Sequence, residues 1–229
     1  MHILPFRKDH AYANMATDLL LLEDYPRPDI ARFRHYGWTN PSAWSFGLSQ
    51  SWEATLKNIG RPADEVVRRP TGGGLVDHAD DYTYTLVVPP TSPGYRGNPS
   101  DLYQLVHEKI VAAFAAQGLP AALYQNLNTE GLRPVCFTQP ERFDIVLPDG
   151  KKIAGAAQKR NRHGLLVQGS IMRALPWPVD WDAFGEVFSK GLADYFGTQP
   201  EGIDWPELDA EKLAASTEHF RSAAWNQRR

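Results

Sequence analysis

The chain has 229 residues, enough for one large domain or two small ones with a buried core, and its 42% hydrophobic and 22% charged content is ordinary for a globular protein. A formal net charge of −3 argues against general nucleic-acid binding, which leaves a basic footprint, and no apolar run approaches the roughly 20 residues that span a bilayer. The opening MHILPFRKDHAYANMA lacks the apolar stretch and cleavage site of a signal peptide, and the one cysteine, Cys136, has no internal partner, so a soluble cytoplasmic protein with Cys136 as a thiol is expected.

In chain order, residues 11–23 read as a mostly buried helix, with Pro26 and Pro28 beyond its end. Residues 31–38 alternate large and charged side chains like a strand, Pro41 breaks it, and residues 43–48 read as its hairpin partner. A short helix at 52–58 leads to a strand at Val66 and then to a run of three glycines. Residues 82–88, YTYTLVV, form the clearest strand, ended by Pro89 and Pro90. The turn-forming residues 91–101 predict a surface loop, and 101–117 an amphipathic helix capped by Ser100 and followed by Gly118. Strands are expected at 121–124, at 143–147, from about Lys151 after a Pro-Asp-Gly turn, and at 165–172, and helices at 181–196 and 206–220. No repeat or low-complexity segment is visible, and 197–204 reads as a loop rather than a linker, which predicts a single domain over 1–229. Hairpins mixed with helices predict an α+β fold, with helices packed on a mixed, largely antiparallel sheet.

The stretch VVRRPTGGGLVDH at 66–78 is the most unusual in the chain. Glycines without Cβ atoms let a ligand lie against the backbone, whose N–H groups can face an anion or a carbonyl, and Arg68 and Arg69 stand ready to add positive charge. A tight loop with solvated arginines explains the same residues. Cys136 is either a buried small hydrophobe beside Phe137 or a nucleophile, which nearby cations such as Arg133 and Arg142 would favour. Lys151 and Lys152 open a strand, so their side chains face opposite ways. Either both are a solvated edge pair, or one points over small residues, Gly155, Ala156 and Ala157, that leave room for a ligand. His78, His107 and His163 lack partners at zinc-site spacing, so no metal site is expected, and neither a serine-hydrolase elbow nor a Walker lysine is present.

Taken together, RRPTGGGLVDH at 68–78, DGKKIAGAAQKR at 149–160 and VQGSIM at 167–172 resemble, in order, the lipoate–protein ligase and octanoyltransferase family. The family's catalytic domain is similar to that of biotin protein ligases. Weaker echoes are ANMATDLLLLE near the start, RHYGWTNPSAWSFGLSQ at 34–50 and SAAWN near the end. The resemblance implies a medium-chain acyl site beside the glycine loop. Arg69, Gly72, Gly73, Gly74 and His78 would line it, with Gly155, Ala156 and Ala157 as its far wall and Gly169 and Ser170 on the V-Q-G-S strand. Lys152 matches the functional lysine of the family's K-I-x-G motif, and a charge there would polarise an acyl carbonyl. The stretch VCFTQPERFDIVLPDGKKIAG resembles the cysteine-containing octanoyltransferase branch, which implies Cys136 as a nucleophile. Octanoyl or lipoyl would pass from acyl carrier protein to a lysine of a lipoyl domain or glycine cleavage H protein, without cofactor, nucleic acid or membrane. An ATP-dependent ligase using Mg2+ is the alternative, and a non-catalytic acyl- or carrier-binding protein a third. The chain departs from both branches after Ile171, where MRALPWPVDWDAFGEVFSKGLADYFG replaces a longer basic segment that in ligases closes over the adenylate. That departure disfavours ATP activation, and no room is expected for the separate C-terminal domain of larger ligases.

Overall fold

The computed structural model describes residues 1–125 and 140–228. Its elements run β1 (His2–Ile3), β2 (Arg7–Asp9), α1 (Ala11–Glu23), β3 (Arg32–Trp38), β4 (Ala43–Phe46), α2 (Trp52–Ile59), β5 (Glu65–Arg68), β6 (Val76–Asp77) and β7 (Asp81–Val88). Then follow α3 (Pro99–Ala115), β8 (Ala122–Leu123), β9 (Ile145–Val146), β10 (Lys152–Asn161), β11 (Gly164–Met172), α4 (Trp181–Tyr195), β12 (Glu201–Gly202), α5 (Ala210–Arg221) and α6 (Ala223–Asn226). Among the described residues the main sheet is ordered β12-β1-β3-β7-β11-β10-β9-β8, with β2 also on β3. Its centre, β3-β7-β11-β10, is antiparallel, whereas β1 joins β3 and β12 in parallel. A smaller sheet, β5-β4-β6, lies apart from it. The mixed, mostly antiparallel α+β architecture expected from the sequence is the one found.

Alternation along the central strands gives the main sheet two chemically different faces. Phe33, Tyr82, Tyr84, Leu86, Val88, Leu165 and Val167 enter the largest apolar cluster, which Val106, Ile110 and Phe114 of α3 and Phe184, Phe188 and Leu192 of α4 complete. The intervening residues Arg34, Tyr36, Thr83, Thr85, Gln168 and Ser170 are mostly polar, yet they too are buried. Helix α1 covers this polar face by supplying a carboxylate. Asp18 accepts from Arg34 Nε at 2.7 Å, Tyr36 OH at 3.2 Å and Gln168 Nε2 at 2.6 Å, while Gln168 Oε1 accepts from Thr71 Oγ1 at 2.7 Å. Burying Arg34, Tyr36 and Gln168 this way is tolerable because each finds a partner.

Two local expectations are corrected. β4 is not the hairpin partner of β3, because the end of β3 that a hairpin would use is already paired: Arg7, Lys8 and Asp9 of β2 stand opposite Tyr36, Gly37 and Trp38. β4 instead pairs in parallel with β5 and antiparallel with β6, which carries the chain across to the glycine loop. Helix α3 is capped by Asn98 rather than Ser100, its side chain accepting from Ser100 N at 3.0 Å with Pro99 in the first turn. Proline is at home there because its missing N–H would have no helical partner anyway.

Gly169 stands opposite Tyr84 in the β7–β11 register, and a Cβ added to it would overlap the Tyr84 ring. Gly169→Ala is therefore expected to cost about 1–3 kcal/mol through overpacking. Urea unfolding of the variant checks this; an unchanged midpoint would mean that the ring can give way.

Candidate active site

Consecutive strand residues point in opposite directions, and Arg68 and Arg69 show what that does. Arg68 turns towards the end of the chain, its Nη1 donating to the carbonyls of Leu48 and Gln50 at 2.7 Å and its Nη2 to those of Asn226 and Arg228 at 2.7 and 3.0 Å. Trp225 Nε1 donates to Arg68 O at 2.8 Å, and Asn226 Oδ1 accepts from Arg68 N at 2.8 Å, so the SAAWN echo is a clamp on β5. Arg69 turns inward. Its Nη2 donates to the carbonyls of Gly72 at 2.9 Å and Gly74 at 2.7 Å, and its Nη1 to Ser45 Oγ at 2.8 Å. Burial lowers its pKa to about 10, which leaves it charged at neutral pH. Neither arginine is solvated, as a plain tight loop would have it; both hold backbone. Gly73 takes φ +83, and Gly47 approaches the loop so closely that a Cβ would overlap the Gly73 carbonyl.

Beside the loop, His78 is fixed on both nitrogens. Its Nε2 lies 2.6 Å from Ser45 Oγ and its Nδ1 2.8 Å from Asp81 Oδ2, with the Trp38 ring stacked on it at 3.9 Å between centroids. Asp81 also accepts from Ser170 Oγ at 2.6 Å and Thr83 Oγ1 at 2.8 Å. Burial alone would raise the Asp81 carboxyl; His78 and the two hydroxyls outweigh it and hold its pKa below the usual value. The Asp81–His78–Ser45 chain has the spacing of a nucleophile, base and orienting acid. Ser45 Oγ also accepts from Arg69 Nη1, so the hydroxyl is part of the hold on the glycine loop.

At the start of β10, Lys152 Nζ lies 2.7 Å from Asp144 Oδ2. The buried Asp144 carboxylate also takes the Tyr103 hydroxyl at 2.5 Å and Glu141 N at 2.7 Å. A Cβ on Gly155 would fall 3.0 Å from Lys152 Cε, so this glycine makes room for the lysine. Behind them His107, one helical turn beyond Tyr103 on α3, donates from Nδ1 to Phe143 O at 2.7 Å and meets the Tyr103 ring edge-on. Asp144 and Tyr103 were not singled out by sequence, although Asp144 lies in the stretch VCFTQPERFDIVLPDGKKIAG that carries part of the resemblance.

These groups converge on one cavity of roughly 640 Å³, open mouth included. Arg69, Gly73, Gly74 and His78 line it from the loop side. Gly155, Ala156, Ala157, Gly169 and Ser170 line it from the sheet, with Lys152 among them. Gly72 is not part of the lining; its carbonyl serves as an anchor for Arg69. Cys136 falls within 126–139, outside the described residues. Among the described residues no three His, Cys, Asp or Glu side chains are grouped to hold a metal ion.

A glycine loop, a wall of small residues and a lysine thus border one cavity. Residues 10–206 match the family model of the lipoyl protein ligase A/B catalytic domain, and the chain belongs to that enzyme family. It is 32% identical over 193 residues to the octanoyltransferase LipM of an Exiguobacterium species, covering 80% of this chain and 69% of that one. It is 30% identical over 259 residues to LipM of Staphylococcus aureus, covering 93% of each. Against two further LipM proteins, of Kyrpidia tusciae and Geobacillus kaustophilus, the chain spans 63% and 60% of the relative's length. Among solved structures, lipoate-protein ligase A bound with ATP superimposes with a TM-score of 0.70 at 18% identity, covering 99% of this chain and 97% of that one. The bipartite lipoate protein ligase of Thermoplasma acidophilum gives 0.69 at 18%, covering 99% and 95%. The expected fold and family are thus those found.

Burial lowers the pKa of His107 from 6.5 to about 4, the nearby Lys152 charge adding to the effect. Between those values the unfolded chain carries a proton that the folded one refuses, so stability falls as pH drops from about 6.5 to 4, by roughly 3 kcal/mol for this group. In His107→Gln, which keeps an N–H donor, unfolding midpoints at pH 7 and pH 4.5 are expected to differ less than in the parent. An equal difference would exclude His107 as a source of the dependence.

Proposed function

We propose that the chain is an acyltransferase of protein lipoylation, moving an octanoyl or lipoyl group onto a lysine of a lipoyl-carrier protein through a thioester on Cys136. The observation that carries this reading is the placement of Lys152 on a cavity walled by the glycine loop and by small residues of β10, in a chain related over most of its length to octanoyltransferases. In the first step the Cys136 thiolate attacks the carbonyl carbon of an octanoyl thioester on acyl carrier protein. The carbon–sulfur bond to the donor breaks, and the donor thiol leaves with the proton that Cys136 gave up. In the second, the unprotonated amine of a lysine on a lipoyl domain or glycine cleavage H protein attacks the new thioester, an amide forms, and the Cys136 thiol returns.

Both steps pass through a tetrahedral oxyanion, which the Lys152 ammonium would stabilise in a site partly closed to water. A thioester already carries the activation that a free acid needs ATP and Mg2+ to gain, so this route requires no cofactor. Residues 1–229 would serve as a single catalytic domain. Among the described residues no helix is long and apolar enough to cross a membrane, and the proposed site of action is the cytoplasm, where both protein partners would meet it.

Intact-protein mass spectrometry after incubation with octanoyl–acyl carrier protein tests the covalent step. An octanoyl adduct on the parent, absent from Cys136→Ser, is the expected result. No adduct on the parent, together with ATP-dependent pyrophosphate release from free lipoate that survives Cys136→Ala, would replace this reading with a ligase. Binding of octanoate without turnover of either kind would leave an acyl-binding protein.

A further inference from the structure

We propose that Asp144 and Tyr103 are positioning residues for Lys152, so that the lysine acts as one part of a three-membered clamp rather than as an isolated charge. The inference rests on the acyl-transfer reading and goes beyond it, since that reading assigns neither residue. Lysine ends a flexible four-carbon stem, and an ammonium that must meet a developing oxyanion needs a fixed direction. Asp144 supplies one. Its Oδ2 lies 2.7 Å from Lys152 Nζ, and its own orientation is set by the Tyr103 hydroxyl on Oδ1 and by Glu141 N on Oδ2. Tyr103 OH in turn accepts from Ala156 N at 3.3 Å, which ties the clamp back to the cavity wall.

A salt bridge that served stability alone would have no reason to border the cavity. Here Tyr103, Asp144, Lys152 and Glu141 all line it. The turn that carries Asp144 is also strained: Phe143 has φ 71, an uncommon conformation for a bulky side chain and one that persists only when its surroundings enforce it. His107 Nδ1 on Phe143 O and two backbone bonds with Tyr124, at 2.8 and 2.7 Å, do the enforcing. Phe143 is the one non-glycine residue with positive φ among the described residues, and it adjoins the residue that holds the lysine.

A double-mutant cycle on the full chain, reading octanoyl transfer to a lipoyl domain, tests the clamp. Asp144→Asn is expected to lower kcat about 10- to 100-fold with the KM for the acyl donor nearly unchanged, the scale on which small misplacements act. Lys152→Met is expected to lose at least as much, and adding Asp144→Asn to it should cost little more, because the carboxylate acts through the lysine. Tyr103→Phe, a near-isosteric change that keeps the inference testable if Asp144→Asn misfolds, should show a smaller loss in kcat that also vanishes beside Lys152→Met. Equal losses with and without Lys152 would overturn the clamp, as would full kcat in Asp144→Asn and Tyr103→Phe. Such results on an active parent would leave the acyl-transfer reading standing, whereas a parent inactive with every acyl donor would remove both.

Discussion

The site depends first on the buried guanidinium of Arg69. It holds the carbonyls of Gly72 and Gly74 on one side and the Ser45 hydroxyl on the other, and so closes the glycine loop against β4. Burying a cation is costly unless its N–H groups find acceptors, and these three take three of its five. A lysine could not replace it, because a single ammonium on a flexible stem lacks the planar fork that spans both carbonyls and the hydroxyl. The glycines follow from the same constraint. Gly73 must take a left-handed conformation, and Gly47 must let the loop backbone approach it.

What surrounds the loop is a sheet whose second face is polar and still dry. Asp18 on α1 joins Arg34, Tyr36 and Gln168, while Asp81 joins His78, Thr83 and Ser170. Each carboxylate is surrounded by donors, so the polar side chains that reach the cavity, Ser45, His78, Gln168 and Ser170, are engaged with the protein itself. A wall of this kind presents rigid surface rather than spare hydrogen bonds, which supports the proposed acyl guest, with few polar atoms beyond its carbonyl end. That end would lie with Lys152, the charged group that the Asp144 and Tyr103 side chains flank.

Much of this was legible in the sequence because it is local. The β-branched and aromatic run at 82–88 has a clear strand character, α1 lies where its apolar density predicts, and the run of three glycines announces a loop pressed against something. The placement of Gly155 and Ala157 on the cavity was readable as well, since small residues after Lys152 leave space over a strand. What escaped was set by distant partners. β1, β2, β6 and β12 have two or three residues each, too few to show a period, and exist because a neighbouring strand has an edge to fill. The parallel β4–β5 pairing could not be told from a hairpin without knowing that β2 already occupies the end of β3. Ser45, Asp81, Tyr103 and Asp144 carry no motif strong enough to mark them individually; they gain their roles from contacts across as many as 89 residues, as between Asp81 and Ser170.

In the proposed reaction the acyl group travels through the enzyme itself. Acyl-enzyme purified away from its donor and then mixed with a lipoyl domain, without ATP, tests it most directly. Mass spectra over time should show octanoyl leaving the enzyme and appearing on one lysine of the domain in equal amount. A stable adduct beside an unmodified domain would contradict the account.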